Sequence, residues 1–200
     1  MSDAVLPGKV EWTGDNPFIY LKTQPDGDWS SLSVFFRITA SDHGSGHFSL
    51  VVTHPYDSAD ASAVGLTDNE PLARYLLSDF VSKFVLFRPT KALETLTLHT
   101  GAVFTQDITE DVWTEAACDT AAHAEVVFRW HRLGEPFAVH VPAPQSGTGK
   151  HDMLSVFRTA QSADVTLNGT SLPGATIERP FLNGPSQSAA LALSETWVQA

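Results

Sequence analysis

Residues 67–84, TDNEPLARYLLSDFVSKF, form the stretch of this chain that repeats with helical period. Leu72, Leu76, Phe80 and Phe84 recur at four-residue steps, and Tyr75, Leu77 and Val81 widen the stripe. One side of a helix over about 68–86 can therefore lie on a sheet. Thr67 or Asp68 is the expected N-cap, with Glu70 in the first turn and Pro71 early, where a missing N–H leaves no bond unmade. Pro89 stops the helix or bends the chain away.

Working outward from this helix, nearly every other ordered-looking segment alternates with period two. On its N-terminal side, strands are expected over 18–22, 32–39 and 48–54, separated by turn chemistry at Pro25-Asp26-Gly27-Asp28 and His43-Gly44-Ser45-Gly46. Leu32, Val34, Phe36 and Ile38 share one face, and Phe48, Leu50, Val52 and His54 share another. Residues 55–65 read as a loop. On the C-terminal side, strands are expected over 93–105, 124–133, 137–141, 153–159 and 188–198, with Asn168-Gly169 as a hairpin corner. The segment 105–123 suits a short helix or an edge strand equally, and its acids, Asp107, Glu110, Asp111, Glu115 and Asp119, read as a solvated face.

About nine or ten strands with one helix predict a mainly β fold, either an antiparallel calycin-like barrel or a highly curved β-sandwich, with one amphipathic helix against it. This resembles the lipocalin-like barrels in architecture alone. Two hundred residues without repeats or long flexible tethers are expected to form a single domain over 1–200.

Twenty-three acidic against 12 basic residues give a formal net charge of −11. The basic residues are scattered, so neither nucleic acid nor an anionic membrane surface is an expected partner. Cys118 is the only cysteine, which excludes an intrachain disulfide and thiolate-rich metal sites. Residues 1–8, MSDAVLPG, lack the basic end and apolar run of a secretory signal, and a cytoplasmic location is expected. The sequence leaves a homo-oligomer open.

The informative anomalies are ionisable groups in apolar rows, because burying one is costly unless something local compensates it. His54 continues the row of Phe48, Leu50 and Val52, and Glu195 interrupts the row of Ala189, Leu191, Leu193 and Trp197. If these strands line one cavity, His54 and Glu195 form a proton-transferring pair, with burial raising the carboxyl pKa into the working range of a general acid–base. The alternative is that both lie at strand ends, where the face meets water. On 123–131, His123, Glu125, Arg129 and His131 share a face broken by Val127. That row reads as the wet side of the sheet or as a polar interior in which Arg129 grips a carboxylate and His131 exchanges protons.

Other signals are weaker. Eight histidines do not present a strand His-x-His pair, so no metal is expected. Gly147-Thr148-Gly149-Lys150 lacks the leading glycine of a phosphate loop. Of the five tryptophans, Trp12 and Trp29 fall in turn-rich regions where an aromatic plane can stack on a sugar ring. The expected function is that of a cofactor-independent enzyme of lyase, isomerase, hydratase or cyclase type. Its substrate is a small apolar or amphipathic organic molecule, held between Phe48, Leu50, Val52 and Trp197, with Arg129 and His131 as further candidates for binding it. A non-catalytic binder of the same kind of ligand is the alternative, and a carbohydrate-binding surface on the exposed tryptophans is a further one.

Overall fold

The computed structural model describes residues 5–57, 59–181 and 184–199, so residues 1–4 of the stretch read for a leader lie outside it. The N-terminal part contributes β1 (Lys9–Asp15), β2 (Phe18–Lys22), β3 (Trp29–Ser41), β4 (Gly46–Thr53) and β5 (Ser62–Thr67). After helix α1 (Glu70–Asp79) come β6 (Thr97–His99), β7 (Val103–Ile108), β8 (Val112–Asp119), β9 (Ala124–Leu133) and β10 (Phe137–Val141). The chain ends with β11 (His151–Leu167), β12 (Thr170–Ser171), β13 (Glu178–Phe181), β14 (Gly184–Gln187) and β15 (Ala189–Gln199). One large sheet runs β6-β5-β4-β3-β1-β15-β11-β9-β8-β7, while β13 and β14 form a separate ribbon. All of its pairings are antiparallel except that of β5 with β6, so the sheet is mixed, and its path has two ends instead of returning on itself.

Alternation along the strands divides the interior in two. Leu32, Val34, Phe36 and Ile38 of β3, with Phe48, Leu50 and Val52 of β4, point into one core beneath α1. Phe35 and Val51, on the opposite faces of the same strands, point into a second core with Val126, Phe128 and Trp130 of β9. The N-terminal strands are thus buried on both sides, which is why β2 reads as almost continuously apolar and why β3 is buried at every position from Ser30 to Phe36, its serines included. The sheet can fold over itself because β11 is 17 residues long: its first half pairs with β15 and its second half with β9, so one strand passes from layer to layer.

The helix is shorter than its apolar period. Asn69, not Thr67 or Asp68, caps it, accepting from the Leu72 N–H at 3.2 Å. Its amide also donates to the carbonyls of His43 and Ser45, tying the β3–β4 turn to the helix. Thr67 and Asp68 fasten β4 instead, through the His47 carbonyl and amide. Leu72, Ala73 and Leu76 are buried, and Leu76→Ala is expected to cost about 2–5 kcal/mol. After Asp79 the chain tightens into a 3₁₀ turn, Val81–Lys83, which keeps Phe80 and Val81 inward without extending the α-helix to residue 86.

Other differences have similar local causes. Residues 93–105 are not one strand: a 3₁₀ turn (Ala92–Thr95) precedes β6, and β7 follows separately. The ambiguous segment 105–123 is a hairpin of β7 and β8. Strands β1 and β5 escape the sequence pattern, as do β13 and β14 of the ribbon, and β1 and β5 each contain a glycine required by close approach. A Cβ at Gly14 would lie 2.1 Å from the Arg37 carbonyl oxygen, and one at Gly65 would meet Phe48 and Leu98 at about 3 Å.

Candidate active site

A bulge decides where Glu195 points. Leu193 pairs with Val156 and Thr196 with Leu154, so Ser194 and Glu195 together oppose the single residue Ser155. Ser194 adopts the left-handed conformation (φ 49°), and its N–H donates to Asp15 Oδ1 at 2.9 Å. Such an insertion swaps the faces of everything beyond it. Ala189, Leu191 and Leu193 therefore face the second core, while Glu195 and Trp197 face the first, beside Ala192. Glu195 does not interrupt the row of Ala189, Leu191 and Leu193; it has been turned to the other side of the sheet.

There it borders a cavity of about 350 Å³, walled by Phe18, Phe84, Met153, Phe157, Phe181 and Trp197. Glu195 is 3% exposed. Its Oε1 accepts from Trp197 Nε1 at 2.7 Å and from Asn16 Nδ2 at 3.2 Å. Burial penalises the carboxylate and raises the pKa to about 7; the hydrogen bonds from Trp197, Asn16 and Ser155 oppose the rise, and the charge of Asp15 adds to it. At neutral pH the group is therefore divided between acid and base. Tyr20 lines the same cavity, its hydroxyl pKa pushed up mainly by burial. Asn16 Oδ1 is buried there without a hydrogen-bond partner among the described residues.

Arg179, from β13, completes the lining. Its guanidinium lies 5.3–5.8 Å from the ring centres of Phe18, Tyr20 and Phe181, and its Nε is buried without a partner among the described residues. Desolvation lowers its pKa from the ordinary arginine value, with the charge of Tyr20 acting the other way.

The other expected site residues are elsewhere. His54 is exposed: β4 ends at Thr53, and His54 takes a left-handed conformation (φ 47°) that turns it out of the row of Phe48, Leu50 and Val52. It borders a different, more polar hollow with Asp28, Trp29, Tyr56 and Asp57, and it makes no pair with Glu195. Phe48, Leu50 and Val52 are fully buried in solid core and do not line the cavity, because their side chains are packed against neighbouring strands and the elements over the sheet. Arg129 and His131 lie on the partly exposed outer face of β9, both paired with Asp164, at 3.1 and 2.7 Å. Of the expected walls, Trp197 alone borders the cavity. Trp12 is 0% exposed, edge-on to Phe36 and Phe80, which removes it from any sugar-stacking surface.

Asn16, Tyr20, Ser155 and Arg179 were not legible as site residues. Tyr20 sits in a visible apolar strand, where a lone tyrosine is unremarkable. Asn16 follows β1, which the pattern does not reveal, and Arg179 belongs to a short ribbon without a periodic signal. Among the described residues no group of three His, Cys, Asp or Glu is placed to hold a metal ion, and no helix is long and apolar enough to cross a membrane. The chain matches no family model, no curated protein and no solved structure.

Proposed function

We propose that the protein takes a small, largely apolar organic molecule into the Glu195 cavity and acts on it without a cofactor, as a lyase, isomerase, hydratase or cyclase does. One observation carries the reading: a buried carboxyl group, its pKa pushed up to about 7, borders an aromatic cavity. A group so poised exchanges protons in either direction near neutrality. Glu195 as carboxylate removes a proton from the bound molecule and, as carboxylic acid, returns it to a second atom or a departing group. The N–H groups of Trp197 and Asn16 hold Oε1 in place and stabilise the anion when it forms. Tyr20 stays protonated over this range and supplies a neutral donor to an oxygen of the ligand. The apolar walls exclude competing water.

The second reading is a non-catalytic binder of the same ligand class. The position of His54, exposed and in another hollow, favours it, since the proton-transferring partner expected from the sequence does not reach the cavity. A rolled sheet with a helix against one core supports the finer likeness to calycin-type carriers. The net charge of −11 and the lone cysteine support a cytoplasmic setting without nucleic-acid or membrane partners. Native mass spectrometry of the purified protein, followed by incubation with the co-purified molecule, separates the readings. Conversion that is lost in E195Q supports the enzyme. Tight binding with no product in either protein overturns it and leaves the binder.

A further inference from the structure

Arg179 is unlike the chain's other half-buried arginines. Arg37 faces Asp15 and Glu115, Arg129 faces Asp164, and Arg158, which faces no carboxylate among the described residues, donates its Nε to the Gly134 carbonyl at 3.0 Å, whereas the buried Nε of Arg179 has no partner among the described residues. In a chain with 23 acidic residues, Arg179 faces no carboxylate among the described residues, although it lines a cavity and buries its Nε. Three aromatic rings beneath it offset part of the lost hydration, but a desolvated guanidinium is strongly stabilised only by an anion. The cavity supplies a place for one.

We infer that the ligand of this cavity is an amphipathic monocarboxylate, its carboxylate paired with the Arg179 guanidinium and its aryl or alkyl body lying along Phe157 and Trp197 beside Glu195. The inference rests on the proposed use of the cavity and names the class of molecule that fills it. The planar fork of arginine matches a carboxylate with two parallel bonds. A single cation also matches a single negative charge: a phosphate dianion would bring a second, uncompensated charge into a site that already contains Glu195. The volume of about 350 Å³ lies at the small end of the roughly 300–1,000 Å³ usual for organic ligands, which suits a compact acid over a long-chain lipid.

Occupancy has a consequence for Glu195. An anion brought into the same cavity, together with the exclusion of water, favours the protonated carboxyl. The other titratable or charged groups around it are Asp15 from β1, Tyr20 from β2, Arg179 from β13 and His151, whose ring stacks on Phe80 and lies edge-on to Trp197. Asp15 is held by Arg37, Tyr20 remains neutral, and His151 has its pKa lowered mainly by burial. Binding above neutrality is accordingly coupled to proton uptake at Glu195.

The test is isothermal titration calorimetry at about pH 8, in buffers of different ionisation enthalpy. The probes are 3-phenylpropanoate, cyclohexanecarboxylate and octanoate, each with its primary amide, and phenylpropyl phosphate. At least one acid is expected to bind about tenfold or more tightly than its amide, with proton uptake that E195Q abolishes. R179M removes the preference for the acid and leaves the amide unchanged; R179K, which keeps the charge and loses the fork, retains a weakened preference if R179M fails to fold. Acid and amide binding equally, or the phosphate binding best, overturns the monocarboxylate while leaving the cavity reading intact. No binding by any member overturns both. Uptake that persists in E195Q assigns the proton to His151 and overturns the coupling.

Discussion

Two buried glutamates in this protein share a local design and differ in what faces them. Glu115 on β8 is 0% exposed and Glu195 on β15 is 3% exposed. Each accepts a hydrogen bond on Oε1 from the indole of a tryptophan two residues away, Trp113 at 2.8 Å and Trp197 at 2.7 Å. Each accepts another from a side-chain amide, that of Gln106 or of Asn16. The difference is a cation. Arg37 reaches across from β3 to place Nη2 2.6 Å from Glu115 Oε2, joining the two layers of the rolled sheet. Among the described residues Glu195 has only neutral donors, and it borders a cavity. The same chemical unit is thus a clamp where the protein supplies the counter-charge and a carboxyl group whose pKa burial pushes up to about 7 where it does not.

The largest effect expected from this comparison is on the clamp. R37M strands a buried carboxylate, and global stability measured by denaturant unfolding should fall by about 3–5 kcal/mol. A loss below about 1 kcal/mol would mean that the cation is not what separates the two glutamates.

The next effect is the pH dependence that Glu195 confers. Its pKa rises from 4.5 in the unfolded chain to about 7 in the fold, so the folded state binds the proton more tightly. Its stabilising contribution is fully present below pH 4.5, declines as pH climbs from 4.5 to about 7, and is absent above that. Relative to E195Q, which cannot titrate, the native protein should lose about 3 kcal/mol across this window. A constant difference between the two proteins would contradict the account.

A smaller effect sharpens the role of the indoles. W197F removes a donor that stabilises the carboxylate, and the pKa of Glu195 should climb further, by about 1 pH unit. A fall would show that Trp197 acts through desolvation alone. Smallest of all, H54A alters an exposed side chain outside this cavity; it should leave the titration of Glu195 in place and stability within about 0.5 kcal/mol.

What the sequence made legible follows the same physics. Strands at 18–22, 124–133 and 137–141 coincide with β2, β9 and β10 because their apolar or alternating runs are bounded by turns or breaks in the pattern. The helix was legible from its stripe, though the stripe runs past it, because 3₁₀ turns also bring Phe80, Val81 and Phe87 inward. β1 and β5 were not, since Gly14 and Gly65 answer to neighbours distant in sequence. Glu195 stood out as an acid in an apolar strand. The bulge that aims it was illegible, because it depends on Ser155 across the sheet and on the carboxylate of Asp15. His54 continued a row by parity alone; one left-handed residue at the strand end cancels that parity. Arg179 carried no signal, as it is set apart by a buried Nε without a partner among the described residues.

The most direct test is a titration of the Glu195 carboxyl itself, by infrared difference spectroscopy on protein with carboxyl-labelled glutamate, with E195Q as the subtraction. The account predicts a carboxylic-acid band that disappears with a midpoint near pH 7 and is missing from E195Q. A carboxyl already fully ionised at pH 5.5, about one unit above the ordinary glutamate pKa, would contradict it.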